Sequence, residues 1–150
     1  MRQLFGLVLL AGVLFSACNL SSREPREAVI KFLRAVKVAD TLAILQGFTL
    51  EAPYTLLPDT GLWPDGDPRN DTLMAARLLA ELSPGGTVFQ RWLDRRMVVG
   101  EAEVRGDSAK VEVTSLDQIK GSQVYNKFGL VRGSGIWRIY SFRTETGPEL

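Results

Sequence analysis

Residues 97–143, MVVGEAEVRGDSAKVEVTSLDQIKGSQVYNKFGLVRGSGIWRIYSFR, decide the fold. They divide into four β-rich runs: Val98–Arg105, Ala109–Ser115, Gln123–Val131 and Ile136–Arg143. Turn chemistry separates them at Gly106-Asp107-Ser108, at Asp117 to Gly121 and at Gly133-Ser134-Gly135. The pattern predicts an antiparallel meander. In the first run Val98, Gly100, Ala102 and Val104 alternate with Val99, Glu101, Glu103 and Arg105; in the second Ala109, Val111 and Val113 alternate with Lys110, Glu112 and Thr114. Such alternation predicts one buried and one wet face, with Glu103 and Lys110, or Glu101 and Glu112, as cross-strand neighbours according to register. The last two runs are different. Val124, Asn126, Phe128 and Leu130 oppose Gln123, Tyr125, Lys127 and Val131, while Ile136, Arg138, Tyr140 and Phe142 oppose Trp137, Ile139 and Ser141. Apolar groups on both faces predict a half-sheet that is covered twice or lines a cavity.

A meander must be covered on one face, and the preceding residues supply helices to do so. Ser21 and Glu24 have capping-box spacing and Pro25 suits a first helical turn. Val29, Phe32, Leu33, Val36 and Ala39 then recur three and four apart, an amphipathic core face, while Arg26, Lys31, Arg34 and Lys37 read as a solvated face with contact to anionic lipid as the alternative. Asp40 is placed to cap a short helix Thr41–Gln46, ended by Gly47. Two further helices are predicted. Thr72–Leu82 has a core face of Leu73, Ala76, Leu79 and Leu82 or, one step around, Met74, Leu78 and Leu82; Thr87–Arg95 carries Val88, Phe89, Trp92 and Leu93.

Between these helices, Thr49 to Asn70 contains Pro53, Pro58, Pro64 and Pro68 among aspartates and glycines, a density of breakers that leaves no regular element. Long irregular segments are often functional, so this one is the first place to look for a ligand contact, with Trp63 among its apolar anchors. Asp65, Asp67, Asn70 and Asp71 lack the spacing, turn glycine and closing glutamate of a calcium loop. No metal, cofactor or catalytic set is expected.

The start of the chain carries an address. After Arg2 comes an apolar run, Leu4 to Phe15, whose 12 residues would span about 18 Å as a helix, short of the roughly 20 residues that cross a bilayer. Leu14-Phe15-Ser16-Ala17-Cys18 resembles a bacterial lipoprotein lipobox, with Phe15 where Leu is commonest. The resemblance implies a signal peptide over residues 1–17, cleavage before Cys18, and lipidation of Cys18 that anchors the chain to the bilayer on the outer side of the cytoplasmic membrane or on the outer membrane. Residues 18–23 then form a lipidated tether, and residues 24–150 the folded domain. Cys18 is the one cysteine, so no disulfide framework supports that domain.

Charge narrows the function. Of 18 Lys and Arg only Arg2 lies in the signal, leaving 17 against 17 acids, and the lack of a basic field argues against nucleic acid. Arg91, Arg95 and Arg96 read as a solvated helix end.

The order of a long first helix with an aspartate near its end, a second helix, an irregular segment and a curved meander ending in Gly135-Ile136-Trp137-Arg138-Ile139 resembles the nuclear transport factor 2-like superfamily. The turn Gly106-Asp107-Ser108-Ala109-Lys110-Val111 is similar to that of small bacterial lipoproteins within it. The resemblance implies an α+β, cone-shaped fold, its helices packed in a curved four-stranded antiparallel sheet, a pocket at the open end, and frequently a homodimer through the sheet. The superfamily hosts both enzymes and binding modules. The chain has no histidine, the side chain best suited to move protons near neutral pH, and Asp40, Asp71 and Asp107 each have a structural task. A non-catalytic module binding a small apolar ligand or an envelope protein is therefore expected, with Trp63, Tyr125, Arg138 and Tyr140 as candidate ligand contacts. The alternative is a small isomerase or hydrolyase working through an Asp/Tyr pocket.

Overall fold

A computed structural model describes residues 24–49, 71–116 and 121–149. Four helices, α1 (Pro25–Lys37), α2 (Thr41–Gly47), α3 (Asp71–Leu82) and α4 (Thr87–Leu93), precede four strands, β1 (Met97–Arg105), β2 (Ser108–Leu116), β3 (Ser122–Gly133) and β4 (Ile136–Glu149). The strands form one antiparallel sheet in the order β1-β2-β3-β4, as the meander requires. Among the described residues no helix is long and apolar enough to cross a membrane.

Helix α1 starts with Pro25 in its first turn, but Glu24, not Ser21, is its N-cap residue, and no side-chain cap bond forms there. Its buried stripe, Ala28, Val29, Phe32, Leu33, Ala35 and Val36, is the face that the spacing predicts. Asp40 caps α2 as expected: its Oδ1 accepts from the Ala43 amide at 3.0 Å. Of the two faces open to α3, the one through Leu78 and Leu82 is buried, and Ala76 is exposed. Asp71 is the first residue of that helix instead of the residue before it. Helix α4 ends at Leu93, two residues short of the expected Arg95.

Phe32 joins the layers. Its ring centroid lies 6.3 Å from that of Phe128 and 6.4 Å from those of Phe48 and Phe142. Trp92 of α4 completes the cluster, 5.1 Å from Phe142 and 5.8 Å from Phe128. These side chains, with Val111, Val113, Leu130 and Ile139, fill the concave side of the sheet.

Two register shifts correct the expected faces. In β1 the shift between Val99 and Ala102 reverses the alternation. Val98 therefore faces outward and is exposed, Met97 and Val99 pack on the core, and Ala102 also packs inward. An extra residue in one strand turns every later side chain to the other face, which a strict period of two cannot anticipate. Glu103 pairs with Lys110, while the shift leaves Glu101 out of register with Glu112. In β4 a shift opposite Gly129 and Leu130 lets Trp137 and Ile139 and then Phe142 all reach the core.

The last strand is also longer than its sequence suggests, running past Arg143 to Glu149. Thr144 and Glu145 pair with Asn126 and Tyr125. Pro148 is tolerated because β4 is an edge strand, where a missing amide hydrogen costs no ladder bond. Asp107 has the structural task assigned to it: Arg132 Nε and Nη2 donate to its Oδ1 at 2.9 and 2.8 Å, and the Arg132 guanidinium sits 5.4 Å over Trp137.

Replacing Phe32→Ala removes the ring that touches three others, and unfolding in urea is expected to show a loss of about 3–5 kcal/mol with the fold retained.

Candidate functional site

The residues singled out in the sequence go to different places. Cys18 and Trp63, with Asp65, Asp67 and Asn70, lie outside the described residues. Tyr125, Arg138 and Tyr140 stand on the outer face of β3 and β4, away from the helices. Tyr125 falls between the buried Val124 and Asn126, and its hydroxyl donates to Gln123 Oε1. Arg138 is exposed between the buried Trp137 and Ile139.

Tyr140 is explained by Gly129. A Cβ on Gly129 would lie 2.6 Å from Tyr140 Cζ and 2.7 Å from its Oη, so the ring lies across the glycine on the outer face. Ser141, the register partner of Gly129, points the same way, its Oγ 2.5 Å from that same position. The expected covering of this half-sheet on both sides is thus supplied locally by its own side chains. Beside the ring, Glu103, Arg105, Ser108, Ala109 and Lys110 border a depression of about 90 Å³, well below the roughly 300 Å³ at which small-molecule sites begin. Tyr125 is four residues along β3 from Gly129, about 14 Å at about 3.4 Å per residue, so the two tyrosines do not meet at one site. Between them Lys127 Nζ meets Glu145 Oε2 at 2.7 Å. That hydrogen bond, followed by the charge attraction, raises the Lys127 ammonium above its ordinary pKa, and the same bond holds the Glu145 carboxyl below its own.

The inner face holds polar groups that the sequence reading passed over. Ser115 Oγ, Ser122 Oγ and Asn126 Nδ2 are buried and have no hydrogen-bond partner among the described residues. Asn126 is wholly inaccessible, and its Oδ1 accepts from Thr144 Oγ1 at 2.8 Å. Register brings the three together: Ser115 pairs with Val124, so Asn126 and Ser122, two residues to either side, are its diagonal neighbours, about 7–8 Å away. They line the end of the concave face beyond Phe128 and Phe142. A signal was present, since Asn126 shares the period of Val124, Phe128 and Leu130, and Ser115 that of Val111 and Val113. A buried polar atom without a partner costs about 1–3 kcal/mol, so a cluster of three marks a place where something beyond the described residues is expected to supply the bonds.

A second feature lies outside the core. Between α1 and β1 runs an open groove of about 390 Å³ with Ile30, Leu33, Met97 and Val99 as its floor and Arg26, Arg34, Lys37 and Arg96 around it. Arg26 Nη2 donates to the Val99 carbonyl and Lys37 Nζ to the Arg95 carbonyl, each at 3.3 Å, which fastens the helix to the sheet edge at both ends. Among the described residues, no three His, Cys, Asp or Glu side chains converge as a metal site would require.

Comparison with known proteins reaches the fold. A nuclear transport factor 2-like protein of unknown function from Silicibacter pomeroyi has a similar structure, with a TM-score of 0.51 and 18% identity over 80% of this chain and 90% of that one. The fold is nuclear transport factor 2-like. A protein of the same description from Shewanella baltica aligns over 81% of this chain and 90% of its own at 18% identity, with a TM-score of 0.43. No protein-family model and no curated protein matches the chain. The likeness fixes the architecture and leaves the function to be argued from particular side chains.

Gly129→Ala is expected to displace the Tyr140 ring, lowering stability by about 1–3 kcal/mol, with the change visible in near-ultraviolet circular dichroism.

Proposed function

We propose that the protein is a lipid-anchored binding module of the bacterial cell envelope that seats a small, mostly apolar ligand against the inner face of its sheet. The observation that carries this is the buried group of Ser115 Oγ, Ser122 Oγ and Asn126 Nδ2, which lies beside the aromatic cluster without a partner among the described residues. Apolar surroundings with a few placed donors are the usual make-up of a small-molecule site. An amide nitrogen and two hydroxyls can donate to a carbonyl or ether oxygen of such a ligand, but an amide does not exchange protons at neutral pH. Binding is therefore better supported than catalysis. Tyr125 and Tyr140, the tyrosines that an Asp/Tyr pocket would need, stand with Arg138 on the opposite face of the sheet.

The anchoring half of the proposal rests on the lipobox resemblance at Leu14 to Cys18 and on the absence of any other cysteine in the chain. Several acyl chains on Cys18 would hold the protein far more firmly than the marginal binding of one chain.

Two measurements test these parts separately. Asn126→Leu removes an unpartnered buried donor and, with it, the acceptor of the Thr144 hydroxyl, so the two effects offset and stability should stay within about 1 kcal/mol of the parent, while a small molecule that copurifies with the native membrane-extracted protein and is seen by mass spectrometry should disappear. A parent protein that arrives without such a molecule, or a variant that keeps it, would sink the ligand site. For the anchor, Cys18→Ser should abolish incorporation of labelled palmitate; retained labelling refutes it.

A further inference from the structure

We infer that the groove between α1 and β1 is a docking surface for a bilayer carrying anionic phospholipid head groups. Four cations surround it, and no acidic side chain lines it among the described residues. The domain as a whole is electrically balanced, with 17 basic residues against 17 acidic ones beyond Arg2, so this concentration of one sign is local. Three of the four gather at one end. Arg34 and Lys37 are one turn apart on α1, and the bond from Lys37 Nζ to the Arg95 carbonyl brings Arg96 alongside them.

That same bond draws together two connections with protruding apolar side chains. Val38 and Leu42 follow Lys37 around the α1–α2 turn and are 74% and 65% exposed; Val98 follows Arg96 into β1 and is 63% exposed. Side chains of this size are stranded in water at every one of these positions; Val38 directly follows Lys37, and Val98 lines the groove with the four cations. Basic groups beside exposed aliphatic ones suit the boundary between phosphates and acyl chains, where the cation meets the head group and the aliphatic side chain enters the layer beneath. Arginine adds geometry, since its guanidinium meets two phosphate oxygens at once. A free anion would use the cations alone and leave the apolar projections unaccounted for. A bilayer uses both. An anchor at Cys18 would hold α1 near such a surface, but docking through the groove does not depend on it.

The test uses residues 18–150, without the apolar run Leu4 to Phe15 and carrying Cys18→Ser so that neither signal nor acyl chains hold it, sedimented with phosphatidylcholine vesicles with and without phosphatidylglycerol. Binding should favour the anionic vesicles and fall with salt. Each cation removed should weaken that preference about fivefold, and Arg34→Ala with Arg96→Ala about twenty-five-fold. Val98→Asp, at an exposed outward position, should reduce it independently without unfolding the domain. Arg105→Ala with Lys110→Ala, on the outer face of the sheet, should leave it unchanged. Equal binding to neutral and anionic vesicles overturns the proposal. So does an equal loss in the Arg105/Lys110 pair, which would mean diffuse charge attraction, or full competition by millimolar inorganic phosphate, which would mean a free-anion site.

Discussion

The ring of Phe32 is the contact on which the two layers depend. It reaches Phe48 just beyond α2 and Phe128 and Phe142 on neighbouring strands, and Trp92 of α4 closes the cluster from the other side. Helices α2 and α4 have seven residues each, too few to be stable alone in water, where about 12–15 residues are marginal. They persist because their buried side chains, Ile44 in one and Phe89 and Trp92 in the other, dock on this cluster. With no disulfide available from a single cysteine, apolar burial carries the domain.

Curvature is the second constraint. The register shifts in β1 and β4 each change which side chains reach the core, and they bend the sheet around the helices. At the β4 shift Tyr140 and Ser141 are both turned outward, and the tyrosine covers the bare backbone of Gly129. An aromatic residue that reads as a binding contact in the sequence therefore has a structural task. The same shift allows Ile139 and Phe142 to be buried although they are three residues apart.

The two proposed surfaces follow from where packing stops. Inside the curve, aromatic packing ends at Phe128 and Phe142, and the next inward positions on β2 and β3 are polar. Outside it, α1 covers the core with one stripe and leaves its basic flank along the edge of β1. A ligand site that faces inward and a basic groove that faces the environment do not compete for the same residues. A module held near a membrane can therefore present its groove to the bilayer while its inner site remains available.

Much of the framework was legible in the sequence. The four strands, their turns, the core stripe of α1 and the Asp40 cap rest on interactions within a few residues, so period and turn chemistry suffice to place them. The polar row Ser115, Ser122 and Asn126 was visible only as an anomaly in apolar alternation, because its clustering needs the β2–β3 register. Tertiary structure alone decided three things: the reversal of faces in β1, the extension of β4 through Glu149, and the meeting of Arg26, Arg34 and Lys37 with Arg96. Each depends on a partner distant in the chain, and no local preference of a residue encodes which distant backbone will lie beside it.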